Sequence, residues 1–244
     1  MAALAIHTRR PKTRSRAKGQ VPLALPFTHG GRRKGAGRKP IGKKAMVSHR
    51  ARPAVSSRHP VHVTLRLGPG VGALRGARAY RAVTQVLFET RARFGVRITV
   101  QSTQKNHLHL IVEAPDRKTL ARAMQGLCIR LAKRLNRLWA RSGKVFADRY
   151  HARVLGTPLE VRRALAYVLN NARRHAATGG RRLPDEWVDP CSSGLQFDGW
   201  QHRPLQADTG PPTVVKPQSW LLRTGWRRHG LIAINEVPGP DSAA

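Results

Sequence analysis

Apolar and polar positions recur with clear periods from about His59 to His175, and the first 58 residues have no such pattern. In HPVHVTLRL (His59–Leu67), Val61, Val63, Leu65 and Leu67 fall on one face, which predicts a strand. Gly68, Gly70 and Gly72 then break the chain. From Ala77 to Phe94, Ala79, Val83, Val86 and Leu87 recur at helical spacing, and Gly95 ends the run. VRITVQSTQ (Val96–Gln104) alternates again. So does HLHLIVEA, with Leu108, Leu110 and Val112 on one face and His107, His109 and Ile111 on the other. The short polar turn between the two stretches predicts a hairpin. A long helix is expected from about Thr119 to Ser142, with Leu120, Met124, Leu127, Cys128, Leu131, Leu135 and Leu138 as its apolar stripe. KVFADRYHARVL predicts a further strand. Thr157-Pro158 opens a last helix, PLEVRRALAYVLNNARRHA, with Pro in the first turn and Glu160 near the positive helix end.

The order strand, helix, strand, strand, helix, strand, helix predicts an α+β fold: a ferredoxin-like βαββαβ core with an antiparallel sheet and an added C-terminal helix. Two helices are expected on one sheet face, the other face is expected to lie open for a ligand, and the added helix is available to cover or supply a site. Three regions follow: a basic arm over residues 1–57, a core domain over 58–178 and a Pro/Gly-rich extension over 179–244. Four of the five tryptophans lie in the extension. That density predicts that part of it folds back on the core.

Charge changes the picture most. Lys and Arg number 46 against 12 Asp and Glu, a formal net charge of +34. Such an excess calls for an anionic partner, nucleic acid first and an anionic membrane surface second. No apolar stretch is long enough to span a bilayer. The two cysteines, Cys128 and Cys191, lie far apart, which argues against a disulfide framework or a zinc knuckle and fits a cytoplasmic protein. Cys128 belongs to the apolar stripe and reads as a core residue. Aromatic residues make up only 5% of the chain, too few for a surface built on many stacked bases. The arm has no acidic residue and is expected to be disordered on its own. Its Gly37–Pro40 stretch, Gly-Arg-Lys-Pro, suits either an A·T-rich minor groove or general phosphate contact.

Two local patterns carry candidate chemistry. His107 and His109 share a strand face, either as metal ligands or as a solvated, nucleic-acid-facing pair. On the last helix, Tyr167 and Asn171 are four apart and therefore neighbours, off the Val161/Leu165/Val168 stripe. Two imidazoles and an amide form a neutral ligand set, so a divalent cation held there keeps its full charge for a phosphate oxygen. A tyrosine hydroxyl nearby is then a candidate nucleophile toward phosphorus. Tyr167 is the first candidate and Tyr150, beside His151, the second.

At these residues the chain resembles the HUH-type single-tyrosine transposases, most closely their bacterial REP-associated tyrosine transposase branch. HLHL, the long basic helix and YVLNN carry the likeness, which runs from about Arg58 to His175. The resemblance implies cleavage and rejoining of single-stranded, hairpin-associated DNA through a covalent 5′-phosphotyrosine, with Mg²⁺ or Mn²⁺. It implies His107, His109 and Asn171 as metal ligands and Tyr167 as nucleophile. The branch often has Pro after the ligand Asn, where this chain has Ala172. Members act as monomers or as homodimers. The cations expected to meet DNA are Arg32, Arg33, Lys34, Arg38 and Lys39 in the arm, and Lys105, Arg130, Lys133, Arg134, Arg137, Arg149, Arg153 and Arg174 in the core. The rival readings are a non-catalytic basic nucleic-acid-binding protein and a hydrolase using metal-activated water. The first has no need of the His/Tyr/Asn pattern, and the second has no need of the tyrosine.

Overall fold

The computed structural model describes residues 53–206, 210 and 212–239. The arm cations Arg32, Arg33, Lys34, Arg38 and Lys39 lie outside the described residues. Four antiparallel strands build one sheet: β1 (Val61–Arg66), β2 (Arg97–Thr103), β3 (His107–Glu113) and β4 (His151–Val154), in the order β2-β3-β1-β4. This is the strand order of the ferredoxin-like split unit. Helices α1 (Ala77–Thr90) and α2 (Arg117–Leu138) connect the strands. Asp116 caps α2 by accepting from the amides of Lys118 and Thr119, satisfying donors that a helix N-terminus leaves unpaired.

Strand alternation sorts the core into two layers. Val61, Val63, Leu65, Leu108, Leu110 and Val112 pack under α1 and α2, together with Leu120, Leu127, Leu131 and Leu135 of α2. Cys128 packs against this layer, and burial pushes its thiol up to about 12, as a core position requires. On the opposite face Ile111 and Val100 meet Val161, Leu165 and Val168 of α3 (Pro158–Leu169). A bulge between Ile98 and Val100 is what sends Val100 to that face. Ile98 sits in the first layer and Val100 in the second, because the extra residue, Thr99, shifts the alternation by one.

The expectation of an open second sheet face is corrected. α3 lies on that face, and the chain beyond residue 191 packs in the same layer through Trp200, Leu221, Leu222, Trp226, Ile232 and Ile234. Leu221 and Leu222 belong to α5 (Trp220–Arg223). An apolar sheet face and the apolar stripe of α3 both have to be buried, and one helix does not cover both. Polar anchors fix the covering segment. The Glu113 carboxylate accepts from the amides of Gln218 and Ser219 at 2.7–3.0 Å. Arg162 of α3 makes a fork with Glu236 at 2.7 and 2.8 Å. Edge strand β2 is also covered: Thr103 N–H donates to Cys191 O, and Ser193 N–H to Gln101 O.

The last helix is also corrected. It is two helices, α3 and α4 (Asn171–Thr178), interrupted at Asn170. The Asn170 side chain donates to Ala233 O at 3.1 Å, so the break is tied to the covering segment. Thr157 and Glu160 form a capping box at the start of α3. Among the described residues, no helix is long and apolar enough to cross a membrane.

Candidate active site

The antiparallel register of β1 and β3 sets Thr64 opposite His109, Arg66 opposite His107 and His62 opposite Ile111. Side chains of one parity therefore share the face toward α3. His109 is buried and stands at the centre of a ring cluster. Its centroid is 4.7 Å from His107, 5.3 Å from His62 and 5.4 Å from Tyr167, the last edge-on at 88°. Tyr167 also meets His62 at 5.9 Å, and His175 of α4 meets His107 at 5.8 Å. The Arg174 guanidinium lies 5.3 Å above the Tyr167 ring and also donates to Gly239 O.

Hydrogen bonding sets the tautomer of His107. An amide oxygen only accepts, so the 2.7 Å contact between His107 Nδ1 and Asn106 Oδ1 puts the His107 proton on Nδ1 and the lone pair on Nε2. His109 Nδ1 faces His62 Nε2 at 3.1 Å and Thr64 Oγ1 at 3.2 Å. His109 Nε2 is buried without a partner. With Nδ1 as donor, His109 also presents a free Nε2 lone pair. Burial lowers His107 to about 4, helped by His175 and Arg66. Burial likewise lowers His109, with His62, His107 and His175 adding to the effect. Both rings are therefore neutral near pH 7.

Asn171 opens α4, fully buried, and neither its Oδ1 nor its Nδ2 has a hydrogen-bond partner. An unpaired buried amide is costly, on the order of 1–3 kcal/mol per polar group. Its neighbour Asn170 is already committed to Ala233. The orphaned Asn171 amide and His109 Nε2, with the free Nε2 of His107, match the donor set that a divalent cation takes from imidazole and amide groups. Among the described residues, no group of three or more His, Cys, Asp or Glu is arranged to hold a metal ion, so a cation here needs the amide as well as the histidines.

Tyr150 lies elsewhere. It is 8% exposed and packs in the α1/α2 layer, on the far side of the sheet from the histidines. Tyr80 donates from its hydroxyl to Pro190 O. Of the core cations, Lys105 sits in the β2–β3 turn beside His107 and Arg174 covers Tyr167. Arg153 is opposite His62 in the sheet and pairs with Glu160 at 3.4 Å. Arg149 is exposed just before β4. Arg130, Lys133, Arg134 and Arg137 ride on α2, behind the sheet. There Arg130 lies over Phe94 and Arg134 pairs with Glu89, so the structure does not bring these four to the histidines.

Sequence reasoning missed His62, Thr64 and His175. The first two have the right parity in HPVHVTLRL, opposite to Val61, Val63 and Leu65, and that signal was available. Their pairing with His109 depends on register, which a single strand does not encode.

Residues 58–171 match the family model described as transposase IS200 like. No curated protein matches the chain. Among solved structures, a REP-associated tyrosine transposase bound to a REP hairpin aligns with 62% of this chain and 84% of its own, at 13% identity and a TM-score of 0.47. A candidate transposase from Deinococcus radiodurans R1 aligns with 59% of this chain and 100% of its own, at 10% identity and a TM-score of 0.35. A bacterial tRNA(His) guanylyltransferase-like protein in complex with GTP aligns with 51% and 67%, at 12% identity and a TM-score of 0.36. Residues 58–171, which hold the histidine strand, Tyr167 and Asn171, are thus the part of the chain that is similar to the IS200-like transposase family.

Proposed function

We propose that this protein cuts and rejoins single-stranded, hairpin-associated DNA through a covalent bond between Tyr167 and a 5′-phosphate. The observation that carries the proposal is the edge contact of Tyr167 with His109, whose Nε2 is buried and unpartnered. A nucleophile against a histidine with an unused ligand atom, together with the unpartnered amide of Asn171, suits phosphoryl transfer. It has no purpose in a protein that only binds.

In this reading the Tyr167 oxygen attacks the scissile phosphorus. A P–O bond to tyrosine forms, the P–O3′ bond breaks, the phenol proton departs and the released O3′ takes up a proton. Rejoining is the reverse, with a 3′-hydroxyl attacking the phosphotyrosine. One bond is exchanged for another of the same kind, so no energy source is required. His107, His109 and Asn171 would hold Mg²⁺ or Mn²⁺, which when bound supplies positive charge to the non-bridging phosphate oxygens. Arg174, over the Tyr167 ring, sets a positive charge beside the nucleophile. Lys105, in the β2–β3 turn, is available for a phosphate of the strand. The arm adds phosphate contacts of no fixed sequence.

The test is incubation with end-labelled hairpin DNA carrying single-stranded flanks, in Mn²⁺, followed by denaturing gels and mass spectrometry of the digest. A nucleotide on the peptide ALAYVLNNAR is the expected result. Cleavage with no covalent adduct would favour water as nucleophile and overturn the tyrosine mechanism.

A further inference from the structure

Next to His107 the surface opens into a cleft of about 510 Å³. One wall is the β2–β3 turn with Lys105, a second is α4 with His175, and the third is a loop carrying Arg181 and Trp187. This loop lies beyond the family match that ends at residue 171. Among the described residues lining the cleft, none is acidic.

The loop is built to be rigid. Arg173 of α4 is 4% exposed and donates to the carbonyls of Leu183 at 3.0 Å, Pro184 at 2.7 Å and Trp187 at 3.0 Å. A buried guanidinium thus organises the turn that presents Trp187. Past the tryptophan, Asp189 is 2% exposed and receives both ends of Arg75 at 2.8 Å. Arg75 also donates to Thr103 O. Arg75 is therefore part of the frame. Lys105 and Arg181 make no ion pair among the described residues and are exposed.

We propose that this cleft holds an unpaired nucleotide of the DNA strand adjoining the scissile phosphate, its base against Trp187 and its phosphate between Lys105 and Arg181. A fixed, half-exposed indole flanked by free cations and no acid is the chemistry of single-stranded nucleic-acid binding. The volume fits a small ligand of nucleotide size. The proposal takes from the strand-transfer reading only the position of the scissile phosphate, at Tyr167 and the histidines.

Binding without chemistry keeps the two readings apart. Fluorescence anisotropy in EDTA would compare a blunt hairpin with the same hairpin carrying unpaired nucleotides on its 5′ or 3′ side. The wild type is expected to bind one of the flanked hairpins more tightly. Trp187→Ala is expected to lose about 10-fold on that hairpin, since one base–aromatic stack is worth 1–3 kcal/mol, and to leave the blunt hairpin unchanged. Trp187→Phe should retain most of the difference. Lys105→Gln combined with Arg181→Gln, both at exposed positions, should reduce flank binding and its salt dependence. Equal loss on both hairpins, or no loss with either the Trp187 or the Lys105/Arg181 variants, overturns the proposal. Adduct formation at Tyr167 is read separately, so either idea stands or falls without the other.

Discussion

His62 Nε2 lies 3.1 Å from His109 Nδ1, across the β1–β3 pairing, with both rings buried. Thr64 Oγ1 reaches the same nitrogen at 3.2 Å. With the proton on Nδ1, both contacts accept from His109 and hold its ring, and the buried Nε2 stays without a partner. In metal sites such a partner orients the ligand ring and raises its basicity, and its loss typically costs 10–100-fold in affinity.

His62→Ala is therefore expected to weaken Mn²⁺ binding at least 10-fold in calorimetric titration of the DNA-free protein. His62→Gln, which keeps an acceptor, should recover part of it. A ring present only to fill space would be better replaced by Leu. If Leu binds Mn²⁺ as well as Gln does, the orienting role is wrong.

The two candidate tyrosines should respond oppositely. Tyr167→Phe keeps the ring contacts with His62 and His109 and removes only the oxygen, so hairpin binding should persist while the adduct disappears. Tyr150 sits in the α1/α2 layer. Tyr150→Phe should leave the adduct yield within about two-fold and shift stability by no more than about 1–2 kcal/mol, the scale of one hydrogen bond. An adduct that survives in Tyr167→Phe and vanishes in Tyr150→Phe would reverse the assignment.

His107 makes the metal-free protein sensitive to acid. Its folded value, about 4, lies below the ordinary 6.5 because burial and the facing His175 and Arg66 disfavour the charged ring. A depressed histidine binds its proton more readily in the unfolded chain. Its contribution is thus complete above about pH 6.5 and is lost as pH falls toward 4. The loss is on the order of 2–3 kcal/mol. Urea unfolding in EDTA at pH 7.5 and 4.5 should show a larger drop for the wild type than for His107→Asn. The lowered carboxylates Glu89, Asp116 and Glu160 titrate at lower pH and remain in both proteins. Identical drops would remove His107 as the cause.

What the sequence could reveal divides along local and non-local lines. The parity of His107 and His109 is local and was legible, whereas the Tyr167–Asn171 spacing was read on one continuous helix and the structure breaks that helix between them. The β1 pattern also implied that His62 and Thr64 face away from the Val61/Val63/Leu65 side. That they meet His109 follows from register alone. The bulge at Thr99 leaves no mark in an alternating string, although it decides that Val100 joins the α3 layer. The break at Asn170 depends on Ala233, 63 residues later. Four tryptophans hinted that the extension docks, but only the three-dimensional arrangement assigns it to the face that seemed open.

That covering segment should matter to the site through α3, the helix that carries Tyr167. Trp226 is 1% exposed, packs in the same layer as Val161 and Leu165, stacks on Phe197 at 5.6 Å and donates to Leu222 O at 3.0 Å. Gly199 approaches it so closely that a Cβ there would lie 2.4 Å from the indole. Removing a buried aromatic of this size costs about 3–5 kcal/mol. Trp226→Ala should thus lower the unfolding midpoint, open residues 192–239 to limited proteolysis and reduce adduct yield, since α3 loses its outer packing. Gly199→Ala should act in the same direction by overpacking. Trp220, 50% exposed beside Arg228, is the control. Trp220→Ala is expected to change stability by less than about 1 kcal/mol. If Trp226→Ala leaves both proteolysis and adduct yield at wild-type levels, the extension is not what holds α3 on the sheet.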